Sequence, residues 1–324
     1  MQEIFLGEAV KKRRMELGIS QQQLCEGICE SITISRLENG KQTPSRRTLN
    51  ALLDRLDMPT DKYYALLSDK EMQIERLWTE ITAHNVRFSH ADKENRPKIR
   101  EETLKLHKKL IKAAGDNDNI INQHLICSQI ILGKEDSFYT FDEQYDMLIK
   151  AIRMTSPNFD INNINSGLYT FEEVKIINQL ALVYIYKGEH INAIEILSSL
   201  YKYIKLHFHN VDLAQVHLDM IIFNYANELY TIGQYKESLE LAIEGKKIAL
   251  DSGRYQLLPE IIGLMAECYH FLGNDNKSRD LFYQAYYLMK VFGNNNNLNN
   301  LIEDAENLLK ITLFPQFYQE QGQG

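Results

Sequence analysis

Proline is scarce in this 324-residue chain, with six residues in all, and a single tryptophan and four cysteines complete its shortages. So little proline leaves long stretches free to be helical, since only proline both removes a backbone donor and clashes with the preceding turn. No apolar run approaches the roughly 18 residues of a membrane span. The first residues, Met-Gln-Glu-Ile-Phe-Leu-Gly-Glu, lack a basic stretch followed by an apolar one, so a cytoplasmic protein is expected. Cys25, Cys29, Cys127 and Cys268 are scattered, and the one close pair has no second pair to complete a zinc tetrahedron. They read as reduced structural thiols. His207 and His209 flank Phe208 without a third ligand, so neither metal nor cofactor is expected. Catalytic signatures are missing too: there is no Gly-x-Ser-x-Gly elbow, no phosphate-cradling glycine loop and no His-Glu-x-x-His. A non-enzyme is expected.

What is present is ordinary globular composition, 44% hydrophobic and 25% charged, with a formal net charge of −8. The charge is uneven. Residues 1–67 carry ten Lys/Arg against nine Asp/Glu, and the rest carries 26 against 35. A weakly basic head on an acidic body cannot coat nucleic acid along its length, but the head can bind it locally.

In the head, Ile4, Phe5, Ala9, Val10 and Leu17 give an amphipathic first helix that Gly18 stops. Ser20 is placed to cap a second helix, Gln21 to Gly27. A third runs from Ser31 to Asn39 with Ile34 and Leu37 inward, and Gly40 ends it. After Thr43-Pro44 a fourth helix buries Leu49, Leu52, Leu53 and Leu56, and a fifth covers Asp61 to Leu67.

Ser20, Gln21 and Leu24, then Ile34, Ser35, Leu37, Glu38 and Gly40, then Pro44 and Ser45 resemble the pattern of the phage-repressor (Cro/C1, or XRE) helix-turn-helix family. The segment between Leu24 and Ser35 is one residue shorter than is usual there and contains Gly27-Ile28-Cys29. That variant resembles the heads of the RRNPP regulators (Rgg, Rap, NprR, PlcR, PrgX), which respond to peptides. By matching positions, the resemblance implies that Ser31, Thr33, Ser35 and Arg36 face base edges, Arg36 foremost because guanidinium can donate twice to guanine. Arg13, Gln21, Lys41 and Arg46 are expected at phosphates, which position a protein without reading sequence. For any one of these charges the alternative is a solvated helix face. Arg14 and Glu38 match an internal ion pair of the family and read as structural.

The body repeats itself. Ile177, Ala181, Tyr184, Gly188 and Ala193 are echoed by Ile222, Ala226, Leu229, Gly233 and Ser238, and again by Ile262, Ala266, Tyr269, Gly273 and Ser278. A large residue, a small one, an aromatic or large one, a turn glycine and a second small residue make the tetratricopeptide (TPR) pattern. Glu71 to Phe88, Ile99 to Ala114, Ile120 to Leu132 and Phe141 to Met154 read as further amphipathic helices. Ser156 to Gly167 reads as a loop, and Leu298 to Leu313 as a capping helix after an Asn294 to Asn297 turn.

The expected fold is therefore all-α: a five-helix helix-turn-helix domain over 1–68, a right-handed TPR-like α-solenoid over 69–317 and a frayed tail over 318–324. First helices of such repeats line a hollow. Projection puts Lys175, Asn178, Leu182, Ile185 and Tyr186, then Phe223, Asn224, Asn227 and Tyr230, then Glu267, His270 and Phe271 on that face. Carboxamides there can donate to and accept from a peptide backbone at once, while core packing is the alternative for the tyrosines.

The expected function is a quorum-sensing transcription regulator that binds double-stranded operator DNA through its head and a short signalling peptide through Lys175, Asn178, Tyr186, Asn224, Asn227, Tyr230, Glu267 and His270. A homodimer is implied by analogy with the family. The rivals are a TPR adaptor for a protein partner and a dimeric repressor indifferent to peptide.

Overall fold

The computed structural model describes residues 6–59, 69–91, 93–115, 117–134, 138–209, 218–292, 295–310 and 312–314. Among these every regular element is helical. The fifth head helix expected over Asp61 to Leu67, Ile4 and Phe5, Asn294 and the tail over 318–324 lie outside the described residues.

Two compact units divide the chain, one formed by residues 1–187 with 205–211, the other by 188–204 with 212–324. The first begins with the head helices α1 (Leu6–Glu16), α2 (Gln21–Cys25), α3 (Ser31–Glu38) and α4 (Arg46–Arg55). Ser20 caps α2 through a reciprocal box: its hydroxyl accepts from Gln23 N–H and the Gln23 carboxamide oxygen accepts from Ser20 N–H at 2.7 Å. Helix α2 stops two residues earlier than expected because Glu26 already leaves the helical region, ψ 123°, ahead of the left-handed Gly27, φ 72°. Val10, Leu24, Ile34 and Leu37, with Leu49, Leu52 and Leu53 of α4 and Leu56 just past its end, form much of the head core, all nearly inaccessible.

Helices α5 (Asp69–His90), α6 (Arg96–Ala114), α7 (Asn119–Lys134), α8 (Phe141–Thr155) and α9 (Phe171–Tyr186) complete this unit. Thr140 and Thr170 cap α8 and α9 with reciprocal boxes to Glu143 and Glu173. The segment expected as a plain loop, Ser156 to Gly167, contains a 3-10 turn, Ile161–Ser166, because Asp160 caps it and Ile164 and Phe159 are buried beneath it.

In the second unit lie most of α10 (His190–His207), then α11 (Leu218–Thr231), α12 (Tyr235–Asp251), α13 (Leu258–Phe271), α14 (Asp275–Phe292) and α15 (Asn295–Leu309). The repeat signature works as close approach. Ser238 is fully buried and donates to the Ala226 carbonyl at 2.7 Å, so α11 and α12 meet backbone to side chain with no room for a larger residue. Ala266 and Ser278 occupy the same places in the α13–α14 pair, both fully buried. Gly233 and Gly273 make the intervening turns at φ 82° and 81°, where other residues would be strained. Asn295 to Asn297 are not a turn but the first turn of α15, where Asn297 donates to Glu260 of α13 at 2.8 Å. None of the described helices is long and apolar enough to cross a membrane.

Candidate functional site

Helix α3 presents Ser31, Ile32 and Arg36 to solvent, with Thr33 and Ser35 half-buried beside them. The apolar periodicity of Ile34 and Leu37 forces this, since it turns the opposite face outward. Among the described residues Arg36 reaches only the Gln42 carboxamide, at 3.4 Å. Ile32 is 48% exposed. It escaped the sequence reading because an isoleucine in a short helix looks like core, yet its offset of two from Ile34 puts it on the other face.

The residues expected at phosphates separate into two groups. Lys41 is exposed and Arg46 half-exposed at the start of α4. Arg13 and Gln21 already have internal partners: Arg13 donates to the Leu56 carbonyl at 2.8 Å and pairs with Asp57 at 3.3 Å, and Gln21 donates to Glu38 at 2.8 Å. Arg14 grips Glu38 with two bonds, 2.6 and 3.0 Å, tying α1 to α3. Burial pushes the Glu38 carboxyl up, but the bonds from Arg14 and Gln21 outweigh it and leave it below the usual carboxylate range.

The head is seated on the body of its own unit by a buried polar network that the sequence did not disclose. Arg55, at the end of α4, donates to the Leu24 carbonyl (3.0 Å), the Glu26 carbonyl (2.8 Å) and the Thr155 carbonyl (2.7 Å), and its guanidinium lies 3.4 Å from the Glu173 carboxylate. Glu173 is fully buried in the first turn of α9 and also accepts from Thr155 (2.6 Å), Ser156 (2.7 Å) and Thr170 N–H (2.6 Å). Next to it Asp54 accepts from Phe171 N–H at 3.2 Å, and burial pushes its carboxyl up to about 7. The Gly27 bend fits against this joint: a Cβ there would overlap the Thr155 carbonyl, and Asn119 donates to the Gly27 carbonyl at 3.1 Å. Arg47 pairs with Asp118 at 3.2 Å.

The His207-Phe208-His209 segment also serves this joint. Phe208 is buried with its ring 5.4 Å from that of Phe171, and His209 N–H donates to Asp57 at 3.0 Å. Among the described residues no three His, Cys, Asp or Glu side chains gather as a metal site. The four cysteines are free, and burial pushes the Cys127 thiol up to about 12 and the Cys29 and Cys268 thiols to about 11.

The residues projected onto the repeat face are spread over both units. In the first, Lys175 pairs with Glu172 at 2.7 Å, Asn178 is fully buried, and Tyr186 is 49% exposed with its ring stacked on Phe141. A peptide could reach Asn178 only after its neighbours move. In the second, Asn224 and Tyr230 are half-buried and Asn227 is exposed. His270 is held by Asp275 at 2.8 Å, and Tyr230, Tyr235 and Phe271 form an aromatic cluster.

Asn227 and Glu267 come together in a hollow of about 170 Å³, walled by Phe223 and Leu264 and closed by Asn300 and Asp304 of α15. The Glu267 carboxyl is pushed up to about 7, first by burial and then by the charge of Asp304, against a bond from Tyr230. The contribution of α15 was missed because the capping helix departs from the repeat pattern.

Comparison with known proteins agrees with this architecture. Residues 10–63 match the family described as helix-turn-helix. No curated protein matches the sequence. The crystal structure of Bacillus thuringiensis PlcR in complex with the peptide PapR7 and DNA is similar over 92% of this chain and 99% of its own, at 18% identity and a TM-score of 0.55. The apo form of Bacillus thuringiensis PlcR gives the same identity and TM-score, over 92% of this chain and 98% of its own. Residues 10–63 thus resemble that helix-turn-helix family, and the chain has the fold of PlcR, a helix-turn-helix head followed by a TPR-like solenoid.

Proposed function

We propose that this protein is a transcription regulator of the RRNPP kind, in which the head reads operator DNA and the repeat face binds a short signalling peptide that changes DNA affinity. The observation that carries the reading is the buried joint. Arg55 of the head and Glu173 of α9 share one polar network, and α9 also carries Lys175 and Asn178. A ligand that shifts α9 must disturb or repack the bonds that hold the head, because a buried network has few intermediate arrangements. The PlcR structure, which contains both a peptide and DNA, supports the pairing of these two ligands.

In this reading residues 1–68 are the DNA-binding part and 69–317 the sensing and dimerising part, of a cytoplasmic homodimer. Ser31, Thr33, Ser35 and Arg36 meet base edges, with Lys41 and Arg46 on phosphates. Lys175 and Tyr186 on α9 meet the peptide, as do Asn224, Asn227, Tyr230, Glu267 and His270. The switch is a population shift whose size equals the difference in peptide affinity between the two head arrangements.

Selection from a random duplex library with the full chain tests the DNA half, and panning a random short-peptide library on the immobilised chain tests the other. An enriched duplex motif and an enriched peptide whose binding is weakened by Asn227→Ala are expected. A duplex motif without any peptide would leave a peptide-independent repressor; a peptide without a duplex motif would leave an adaptor.

A further inference from the structure

Helix α6 has a charge opposite to that of the body around it. It carries seven Lys/Arg against two Glu, whereas the rest of residues 68–324 carries 19 against 33. Its basic residues are not consumed internally in the last two turns. Lys105 pairs with Glu101 at 2.7 Å, but Lys108, Lys109 and Lys112 are exposed and have no carboxylate partner among the described residues. The macrodipole accounts for a cation in the last turn, where Lys112 sits. It does not account for Lys108 and Lys109, a turn earlier.

Lys109 and Lys112, with Arg76 of α5, line an open groove of about 810 Å³ that no acidic residue lines. The end of the same helix adjoins the head: Ala114 and Gly115 share a second hollow, about 430 Å³, with Ile28 at the bend before α3 and Thr48 in the first turn of α4. Arg47–Asp118 and Asn119–Gly27 hold that junction at 3.2 and 3.1 Å. Both the lysines and the helix-turn-helix therefore belong to one unit, joined by fixed contacts.

We infer that Lys108, Lys109 and Lys112 of α6, with Arg76, form a second phosphate-binding surface that holds the DNA backbone beside the site read by the helix-turn-helix. The occupant is a polyanion because the groove offers ammonium and guanidinium groups without an acid to select a cation. It is duplex DNA because the end of the same helix lies against Ile28 and Thr48 of the head, which carries open cations of its own, Lys41 ahead of α4 and Arg46 at its start. Such contacts position without reading sequence. They extend the footprint past the half-site and tie its outer end to the body, so a movement of the body is felt by the DNA directly. The inference rests on the proposed DNA-binding function.

The test is the salt dependence of binding by the full chain to a mixed-sequence duplex of about 30 base pairs, by fluorescence anisotropy. Each phosphate contact adds about 0.9 to the slope of log affinity against log salt. The variant Lys108→Gln/Lys109→Gln/Lys112→Gln should lower the slope by about 2–3 while keeping the wild-type circular dichroism melt, since all three side chains are solvated. A separate variant, Lys41→Gln/Arg46→Gln, should lower it by about 2 through the head alone. An unchanged slope in the α6 variant with a reduced slope in the head variant would overturn this surface and leave the helix-turn-helix reading intact, assigning the groove to another acidic partner. Failure of the wild-type chain to bind the duplex at all would overturn both.

Discussion

Replacing Gly27 by alanine should loosen the head from the body, and the size of the effect can be set against an internal control. Gly27 has φ 72° and Gly40 has φ 65°, so alanine at either position meets the left-handed penalty of about 1–2 kcal/mol. At Gly40 nothing lies within 4 Å of the new Cβ, and the penalty should be the whole effect. At Gly27 the Cβ would overlap three backbone atoms of Thr155. The overlap can be relieved only by separating α2 from the end of α8, which breaks Asn119 to the Gly27 carbonyl (3.1 Å) and strains Arg55 between the Glu26 (2.8 Å) and Thr155 (2.7 Å) carbonyls. One or two buried groups left unpaired cost about 1–3 kcal/mol each. Gly27→Ala should therefore lose about 2–8 kcal/mol and Gly40→Ala about 1–2. Urea unfolding reads this cleanly, because the single tryptophan, Trp78, sits on α5 in the same unit with its ring 3.7 Å from that of His124. Equal losses in the two variants would refute the close approach.

Four further outcomes follow from the same contacts. Arg55→Met should cost about 3–5 kcal/mol because it strands Glu173 in the interior, and adding Glu173→Gln should restore part of the loss; strictly additive losses in urea unfolding would mean the pair is not coupled. Asp54, pushed up to about 7, holds a proton in the folded chain that the unfolded chain releases near 4, so its contribution to stability falls as pH rises from about 4 to 7. Asp54→Asn removes that dependence, and the stability difference between variant and wild type should move in favour of the variant between pH 5 and pH 8; a constant difference would argue against a buried neutral acid. Arg36→Ala should weaken operator binding by about 1–3 kcal/mol and relax selection at one base pair, measured by competition against single-base operator variants. Asn227→Ala should weaken peptide binding without changing the melt, whereas Asn178→Ala should lower the melting temperature; the reverse pattern, by calorimetry and circular dichroism, would place the ligand at Asn178 of α9 instead of Asn227 of α11.

Much of the head was legible because its signals are local. Ser20 as a cap, Gly40 as a stop and the leucines of α4 all follow from periodicity and capping, which act within a turn or two. The small residues of the repeats were legible for a similar reason, since Ala226 and Ser238 must both be small wherever two helices cross closely. The joint was not legible. Arg55 and Glu173 are 118 positions apart and each reads as an ordinary surface charge, so only the fold brings them together. Gly27 stood out as an unusual bend, but the reason for it, the Thr155 backbone, lies far along the chain. Asn178 shows the converse limit: projection gave its helix face, but whether that face is open depends on side chains from other helices. The cations of α6 were spread among apolar residues in an otherwise acidic region, and their local excess becomes visible only when the helix and its neighbours are assembled.

The coupling between repeat face and head is tested most directly by the affinity of the full chain for its selected operator, measured with and without a saturating peptide recovered by panning on that chain. Allosteric couplings of this type are worth about 1–3 kcal/mol, or about 5- to 150-fold in affinity. A change in that range is expected in wild type and a much smaller one in the Arg55→Met/Glu173→Gln chain. Identical operator affinities with and without the bound peptide in wild type would contradict the proposed regulation.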